Sequence, residues 1–561
     1  MKNLILLVLT LGMIQALLAQ TASVQVIHNS ADALAAEVDV YVNSDLALDD
    51  FAFRTATEFL ELPAGVQIEL SVAPGNSTSV NDALLTVPVT LMANENYVVV
   101  ANGIVSASGY NPAPPLSLDL YPMAKTEAAT ATNTEILVHH GSTDAPTVDI
   151  VETGAGAGTV IDNISYPEFE GYLDLPTADY VIAVTDETGS VTVASYDLPL
   201  ETLGLDGAAV TAVASGFLDP SSNSDGPAFG IWVATAAGGP LVQLPTATAQ
   251  VQVIHNSPDA LAEEVDVYVD GALALDDFAF RTATPFINLN AGVEIELAVA
   301  PGNSTSVNDA LLTVPVTLTA NESYIVVANG IVSPTGYNPA PPLTLNVFAP
   351  ARTEASSATN TDILVHHGST DAPTVDVVEN GIGAGRIVND ISYTEFQGYL
   401  EVPTVDGYVL QVRDETGTVG VAAYEAPLST LGLDGAAITL LASGFLDPSQ
   451  NSNGPSFGLY AALASGGPLV ALPSATLGTN ENAVAEVAVF PNPTRNELTV
   501  SGINLSEYTL TIADVQGRII TSNSYSVANN TLNVGRLAAG VYLLNIENGS
   551  NLAKTVRFVK Q

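Results

Sequence analysis

VQVIHNSADALAAEVDVYV at residues 24–42 returns as VQVIHNSPDALAEEVDVYV at residues 251–269. Val24, Val26 and His28 share one side of an extended chain. Val38, Val40 and Val42 share one side of another, with Asp39 and Tyr41 opposite. That period of two, with turn-forming Asn, Ser and Asp between the runs, predicts β-strands. Downstream, Ile68, Leu70 and Val72 alternate with Glu69 and Ser71, and the segments LPAG, APGN and NPAPP punctuate the runs. Long amphipathic helical stretches are absent, while 44 Gly and 33 Pro suit many short strands.

The duplication extends well beyond this stretch. PGNSTSVNDALLTVPVTL at 74–91 recurs unchanged at 301–318, in a register of 227 residues that becomes 228 after one insertion near Gly407. Each half is itself double, since HNSADA at 28–33 is answered by HGSTDA at 140–145. The body therefore contains four units, beginning near residues 24, 136, 251 and 363. A period of about 112 residues is too long for a solenoid repeat, so each unit is expected to own a core, as a bead in an array does.

The expected fold is all-β: a tandem array of four antiparallel β-sandwich-like modules, with small closed barrels as the runner-up. The layout predicted is a signal peptide at 1–20, β modules at 21–122, 135–247, 250–349 and 362–474, a linker at 475–486 and a terminal domain at 487–561. The joints KTEAATATNT, PTATAQ, RTEASSATNT and PSATLGTNENAVAE are rich in Ala, Thr and Ser. The first twenty residues have the form of a secretory signal: Lys2, an apolar stretch from Leu4 to about Leu18, and Ala19 as the small residue before cleavage.

Formal net charge is −47, unevenly placed. Residues 21–479 carry six basic side chains (Arg54, Lys125, Arg281, Arg352, Arg386, Arg413) against 54 acidic ones, whereas residues 480–561 carry six of each. An acidic body repels polyanions, which argues against nucleic acid and anionic lipid as its partners, and it attracts cations. There is no cysteine. Thiol nucleophiles, Cys-ligated zinc and disulfide staples are excluded, and stability must come from packed cores.

Two resemblances follow from these motifs. HNSPDALAEEVDVYVDG and, less closely, HGSTDAPTVDIVE resemble the opening of the domain of unknown function 4397 family, with ASGFLDP at 214 and 442 and GGPLVQLP at 238 fitting the same pattern. The resemblance spans most of residues 24–473 and implies an extracytoplasmic β module, with no reaction attached. VFPNPTRNELTV at 489, ADVQGRII at 513, LAAGVYLLNI at 537 and KTVRFVK at 554 resemble the type A sorting domain of type IX secretion. That resemblance implies a small Ig-like β-sandwich recognised by an outer-membrane translocon and removed by a sortase-like peptidase. The body would then be released or attached to the surface, having passed through the periplasm. In this domain Pro491 and Pro493 are expected to open a strand and Gly517 to permit a hairpin turn.

Candidate chemistry is sparse. All six histidines (His28, His139, His140, His255, His366, His367) fall in the module openings. Neighbours on a strand point to opposite faces, so the adjacent pairs cannot share one metal ion. Asp32 and Asp39, with counterparts Asp144 and Asp149, suit turns that bond backbone N–H groups. Glu168 and Glu170 share a face, but the matching copy holds Glu395 and Gln397, so one copy lacks the acid pair of glycoside hydrolysis. Asp49–Asp50 and Asp276–Asp277 would point apart if extended. The one candidate metal site is a calcium loop. LDPSSNSDGP carries Asp219, Asn223 and Asp225 before Gly226, and LDPSQNSNGP carries Asp447, Asn451 and Asn453 before Gly454. It lacks the bidentate Glu of an EF-hand, and a self-bonded turn has the same composition. Apart from calcium no cofactor is expected.

The sequence thus predicts a non-enzymatic, surface-displayed repeat protein with a binding, adhesion or structural role, contacting the export machinery and an extracellular protein or glycan. A secreted carbohydrate-active or other hydrolytic enzyme is the alternative.

Overall fold

The computed structural model describes residues 20–476, 487–502, 509–515, 518–522, 530–548 and 551–561. The apolar stretch expected as a signal peptide, residues 477–486 of the linker region, and Gly517 lie outside the described residues. Strands dominate the described residues, and no α-helix occurs among them. The helical elements among the described residues are six 3-10 turns of three residues each. No described helix is long and apolar enough to cross a membrane. By internal packing the chain forms two units, one of residues 1–374, 390–406 and 427–472, the other of residues 375–389, 407–426 and 473–561.

In the first unit, module 1 contains β1 (Thr21–His28), β2 (Glu37–Val42), β3 (Asp45–Ala52), β4 (Thr55–Ala56), β5 (Leu60–Pro63), β6 (Gln67–Pro74), β7 (Leu85–Thr90), β8 (Asn96–Asn102) and β9 (Ser117–Pro122). One sheet runs β4-β1-β8-β9 with β5 also paired to β1, and the other runs β3-β2-β6-β7. The β1–β8 pair is parallel and its neighbours are antiparallel. A parallel pair needs a long crossover. Here the crossover contains the whole second sheet.

Module 2 repeats the plan with β10 (Asn133–His140), β11 (Val148–Glu152), β12 (Gly158–Ile164), β13 (Phe169–Pro176), β14 (Asp179–Asp186), β15 (Thr192–Pro199), β16 (Ala209–Ser215), β17 (Gly230–Thr235), β18 (Gly239–Pro240) and β19 (Val242–Gln243). Its sheets are β13-β10-β16-β17-β19 and β12-β11-β14-β15. Module 3 repeats both sheets of module 1. Strands Asn360–His367, Phe396–Pro403, Ala437–Ser443, Gly458–Leu463 and Val470–Ala471 repeat the five-stranded sheet of module 2.

Each of the first two modules owns a core between its sheets. Val24, Val26, Ile68, Leu70 and Tyr97 fill that of module 1, and Ile136, Val148, Ile161, Val184 and Val233 that of module 2. The expectation of separate beads nevertheless needs correction. Ile27, Val98 and Val100 on the other face of β1 and β8 join Leu137, Val213, Ala234 and Leu241 of module 2 in a further core. Ile254, Ile325 and Val327 likewise join Leu364, Leu441, Ala462 and Leu469. Burial on both faces explains why VQVI and ILVH read as near-continuous apolar runs. The pairing is reinforced by strand exchange, since β18 of module 2 adds antiparallel to β4, and Gly467–Pro468 adds to Thr282–Ala283.

Residues 375–389 and 407–426 of the second unit supply all but Asp390 and Ile391 of a four-stranded sheet in the order Gly385–Ile391, Val375–Glu379, Tyr408–Asp414, Gly420–Ala426, the order of the four-stranded sheet of module 2. The second unit also contains the terminal domain, with sheets Ala488–Phe490, Glu497–Ser501, Thr531–Asn533 and Ile519–Ser522, Thr509–Asp514, Gly540–Asn548, Asn551–Lys560. Tyr542, Leu544 and Ile546 alternate into a core with Leu498, Ile512, Leu532 and Phe558. Pro491 and Pro493 do not open a strand. They separate Ala488–Phe490 from Glu497–Ser501, as residues without an N–H to give a ladder do.

Candidate functional site

The repeated His-Asn/Gly-Ser motif is where chemistry-bearing side chains concentrate. His28, at the end of β1, is wholly buried. Its Nε2–H donates to the Ala35 carbonyl at 2.7 Å and its Nδ1 accepts from the Ser30 N–H at 3.4 Å, which defines a neutral tautomer. Phe51 and Phe53 flank the ring. Burial lowers its pKa from 6.5 to about 4, as it does for His255. Ser30 Oγ donates to the Gly103 carbonyl at 2.6 Å. Asp32 accepts from the N–H groups of Leu34, Val105 and Ser106 and from Ser106 Oγ. Burial pushes its carboxyl up, and these bonds outweigh that effect to hold it below the ordinary value. His, Ser and Asp thus hold the loop after β1 and tie it to the loop after β8.

In module 2, His140 Nε2–H donates to the Pro146 carbonyl at 3.0 Å and burial again lowers its pKa. His139 points the other way, into the shared core, tilted against Phe169 with Nε2 3.3 Å from Asp119 Oδ2. The two rings diverge, as the strand geometry requires.

Asn29 reaches across the module boundary: its Nδ2 donates to the carbonyls of Gly141 at 3.1 Å and Ala214 at 3.4 Å. A Cβ at Gly141 would clash with that Nδ2 and with the Ala214 carbonyl. The motif reads HNS in odd modules and HGS in even ones because the asparagine of one occupies the space the glycine of the other leaves. Asn256 and Gly368 repeat the arrangement.

The loops singled out for calcium lie on the same boundary. Asp219 caps a 3-10 turn, accepting from the N–H groups of Ser221 and Ser222. Asn223 is fully buried. Its Oδ1 accepts from the Asn111 N–H at 2.9 Å, and its Nδ2 donates to Asp144 Oδ2 and to the Asp219 carbonyl. Asp225 is exposed at φ +50°. In the second copy Asp447 caps the turn, Asn451 accepts from the Asn338 N–H at 3.0 Å and bonds Asp371, and Asn453 sits at φ +52°. These loops latch an even module to the odd module before it.

A different carboxylate cluster escaped the sequence reading. Asp49 and Asp50 do not point apart. A β-bulge between β2 and β3, with Asp50 at φ +50°, brings both beside buried Asp39, with carboxylate oxygens all within 4.8 Å of one another. Asp266, Asp276 and Asp277 form the same cluster. Such groups are hard-cation ligands in type. Asp39 also accepts from the Asp50 N–H and Ser77 Oγ, so it holds the bulge as well. A bulge inverts the parity that a plain alternation assumes.

The six basic side chains of the body are all engaged internally. Arg54 bonds Ser215 and the Ala228 carbonyl and lies 4.0 Å over the Trp232 ring, and Arg281 treats Ser443, Ser456 and Tyr460 alike. Lys125 pairs with Glu135, Arg352 with Asp362 and Glu401, Arg386 with Asp376, and Arg413 bonds Gln411 and Gly417. Glu168 and Glu395 accept from the N–H groups of Ser165 and Ser392, as turn-holding residues.

No curated protein matches the chain. Among solved structures it is similar to the Bacillus anthracis TIE protein (7% identity, 72% of this chain and 68% of that one, TM-score 0.15), to a structure titled alpha-glucan binding by a streptococcal virulence factor (7%, 34% and 92%, 0.13) and to surface layer protein SbsC, domains 4-9 (11%, 94% and 77%, 0.14). Scores of that size carry nothing over to this protein. The model described as a secretion system C-terminal sorting domain matches residues 488–561, which supports type IX export to the cell surface or beyond. The model described as Domain of unknown function (DUF4397) matches residues 22–151, 134–224 and 249–378, three segments where the sequence shows four repeats. With more than half of its residues in those matches, the chain belongs to the domain of unknown function 4397 family.

Proposed function

We propose that this protein is a type IX cargo whose acidic body acts outside the cell as a non-enzymatic binding or surface-structural array. The supporting observation is how the motif residues are employed. The side chains that would supply acid, base or nucleophile are spent on loops and module boundaries, and the basic side chains on internal clamps, so an acidic exterior and repeated module faces remain for contact. Several weak contacts from similar modules would add through avidity. The clamp between paired modules sets their faces in fixed relation, which multivalent contact requires.

One experiment tests both parts. The intact gene and a version lacking residues 488–561 are expressed in a host with type IX machinery. Surface and medium fractions are then offered a panel of polysaccharides, with retention and release of reducing ends both measured. The expected result is display of the intact protein only, with retention and without product. Equal display of the truncated protein would overturn the export assignment, and sustained release of sugar ends would establish the hydrolase reading instead.

A further inference from the structure

Between the two sheets of module 2 lies a cavity of about 110 Å³, walled by Val138, Ile150, Val160, Leu173, Ala212 and Phe229 among others. The corresponding spaces in modules 1 and 3 are about 30 Å³ each. Strand register explains the difference. Phe51 faces Val38 in module 1, and Ile164 faces Val148 at the same place in module 2. Tyr97 and Val99 face Val24 and Val26, where module 2 sets Val210 and Ala212 against Ile136 and Val138. Module 2 has therefore exchanged Phe, Tyr and Val for Ile, Val and Ala on its inner walls. Val138, Ile150, Leu173 and Ala214 point inward yet are only half-buried, and the surface they keep is the wall of the cavity.

The chemistry of the wall selects what could fill it. A buried water needs two to four polar partners, whereas an apolar cavity of about 150 Å³ stays dry and takes up benzene or xenon. Most polar groups at this wall have other employment: Glu152 accepts from the N–H groups of Ala155 and Ala157, Tyr180 donates to the Pro176 carbonyl and His140 Nε2–H to that of Pro146, which leaves His140 Nδ1 as a single unpartnered ring nitrogen, fewer than a water needs. A sugar placed here would lose its hydrogen bonds with water and gain few. No lysine or arginine lines the space to receive an anion, and burial keeps the His140 pKa below its ordinary value. Empty space of this size forfeits dispersion contacts on every side. The repeats also contain its remedy, since Leu440 faces Val365 in module 4 at the register of Ala212.

We propose that module 2 binds a small uncharged apolar molecule of about benzene size between its two sheets. The proposal rests on the cavity alone and is independent of the surface role proposed above. It is tested on the full chain with isoleucine methyl groups labelled with carbon-13, titrated with xenon and with benzene. Saturable shifts are expected at Ile136, Ile150, Ile161 and Ile164 in the parent protein. They should vanish in Ala212→Leu, which adopts the module 4 residue, and in Ile164→Phe, which adopts the module 1 and 3 residue. The methyl spectra of the unliganded variants report whether they fold. Absence of saturable shifts in the parent protein overturns the proposal whatever the variants do, as do shifts of parental size in either folded variant.

Discussion

The halves 21–247 and 248–474 hold their modules together by the same contacts made from partly different residues. Arg54 lies over Trp232 and Arg281 over Tyr460, at 4.0 and 3.9 Å. The long Lys125–Glu135 pair is matched by Arg352 with the shorter Asp362. Where the contact survives a change of residue, geometry is what the position supplies. Two differences do not compensate in this way. Asp119 beside His139 becomes Asn346, and Ala212 becomes Leu440. The first removes a charge from one shared core, and the second closes space that module 2 keeps open.

The largest expected effect sets acid against both halves. His28 and His255 have folded pKa values near 4, below the 6.5 of the exposed side chain. Their contribution is therefore fully present above pH 6.5 and is lost as pH falls from 6.5 through 4. Each is worth about 3 kcal/mol over that window. His366, lowered to about 3 by burial, extends the loss further in the second half. Urea unfolding followed from about pH 7 to about pH 4 should show falling stability, and His28→Gln, which keeps a donor for Ala35, should flatten the slope. A slope unchanged by His28→Gln would remove the histidine from the account.

A smaller effect tests the boundary lock. Gly141→Ala and Gly368→Ala should each cost about 1–3 kcal/mol by overpacking against Asn29 or Asn256 and a backbone carbonyl. Asn29→Ala in the Gly141→Ala background should recover part of that cost, because it relieves only the side-chain clash. If the two glycine substitutions differ widely, the halves are less alike at this boundary than their hydrogen bonds indicate.

The smallest effect concerns the loops considered for calcium. Asp225→Ala should cost about 1 kcal/mol without calcium, because at this exposed position the main change is Ala in the left-handed region at φ +50°, which Asp tolerates better. Melting in millimolar calcium is the decisive arm: no rise leaves the loop as a hydrogen-bonded latch, whereas a rise abolished by Asp225→Ala assigns it a cation.

Much was legible without coordinates. The alternation in EVDVYV and QIELSV predicts strands because side-chain direction in an extended chain is local, and the 227-residue register predicts repeats because it is a property of the text. The sorting domain was legible for the same reason. The divergence of His139 and His140 followed from strand parity. Tertiary structure alone decided how the modules join. Nothing local distinguishes Ile27, which packs against the neighbouring module, from Val26, which packs within its own, because both are apolar and both are buried. Asp49 and Asp50 were misjudged because a bulge changes direction by one residue, and the need for it arises from the partner strand. The cavity in module 2 was invisible for a related reason. It is the difference between volumes contributed by β10, β12 and β16, and packing sums over residues that the sequence keeps far apart.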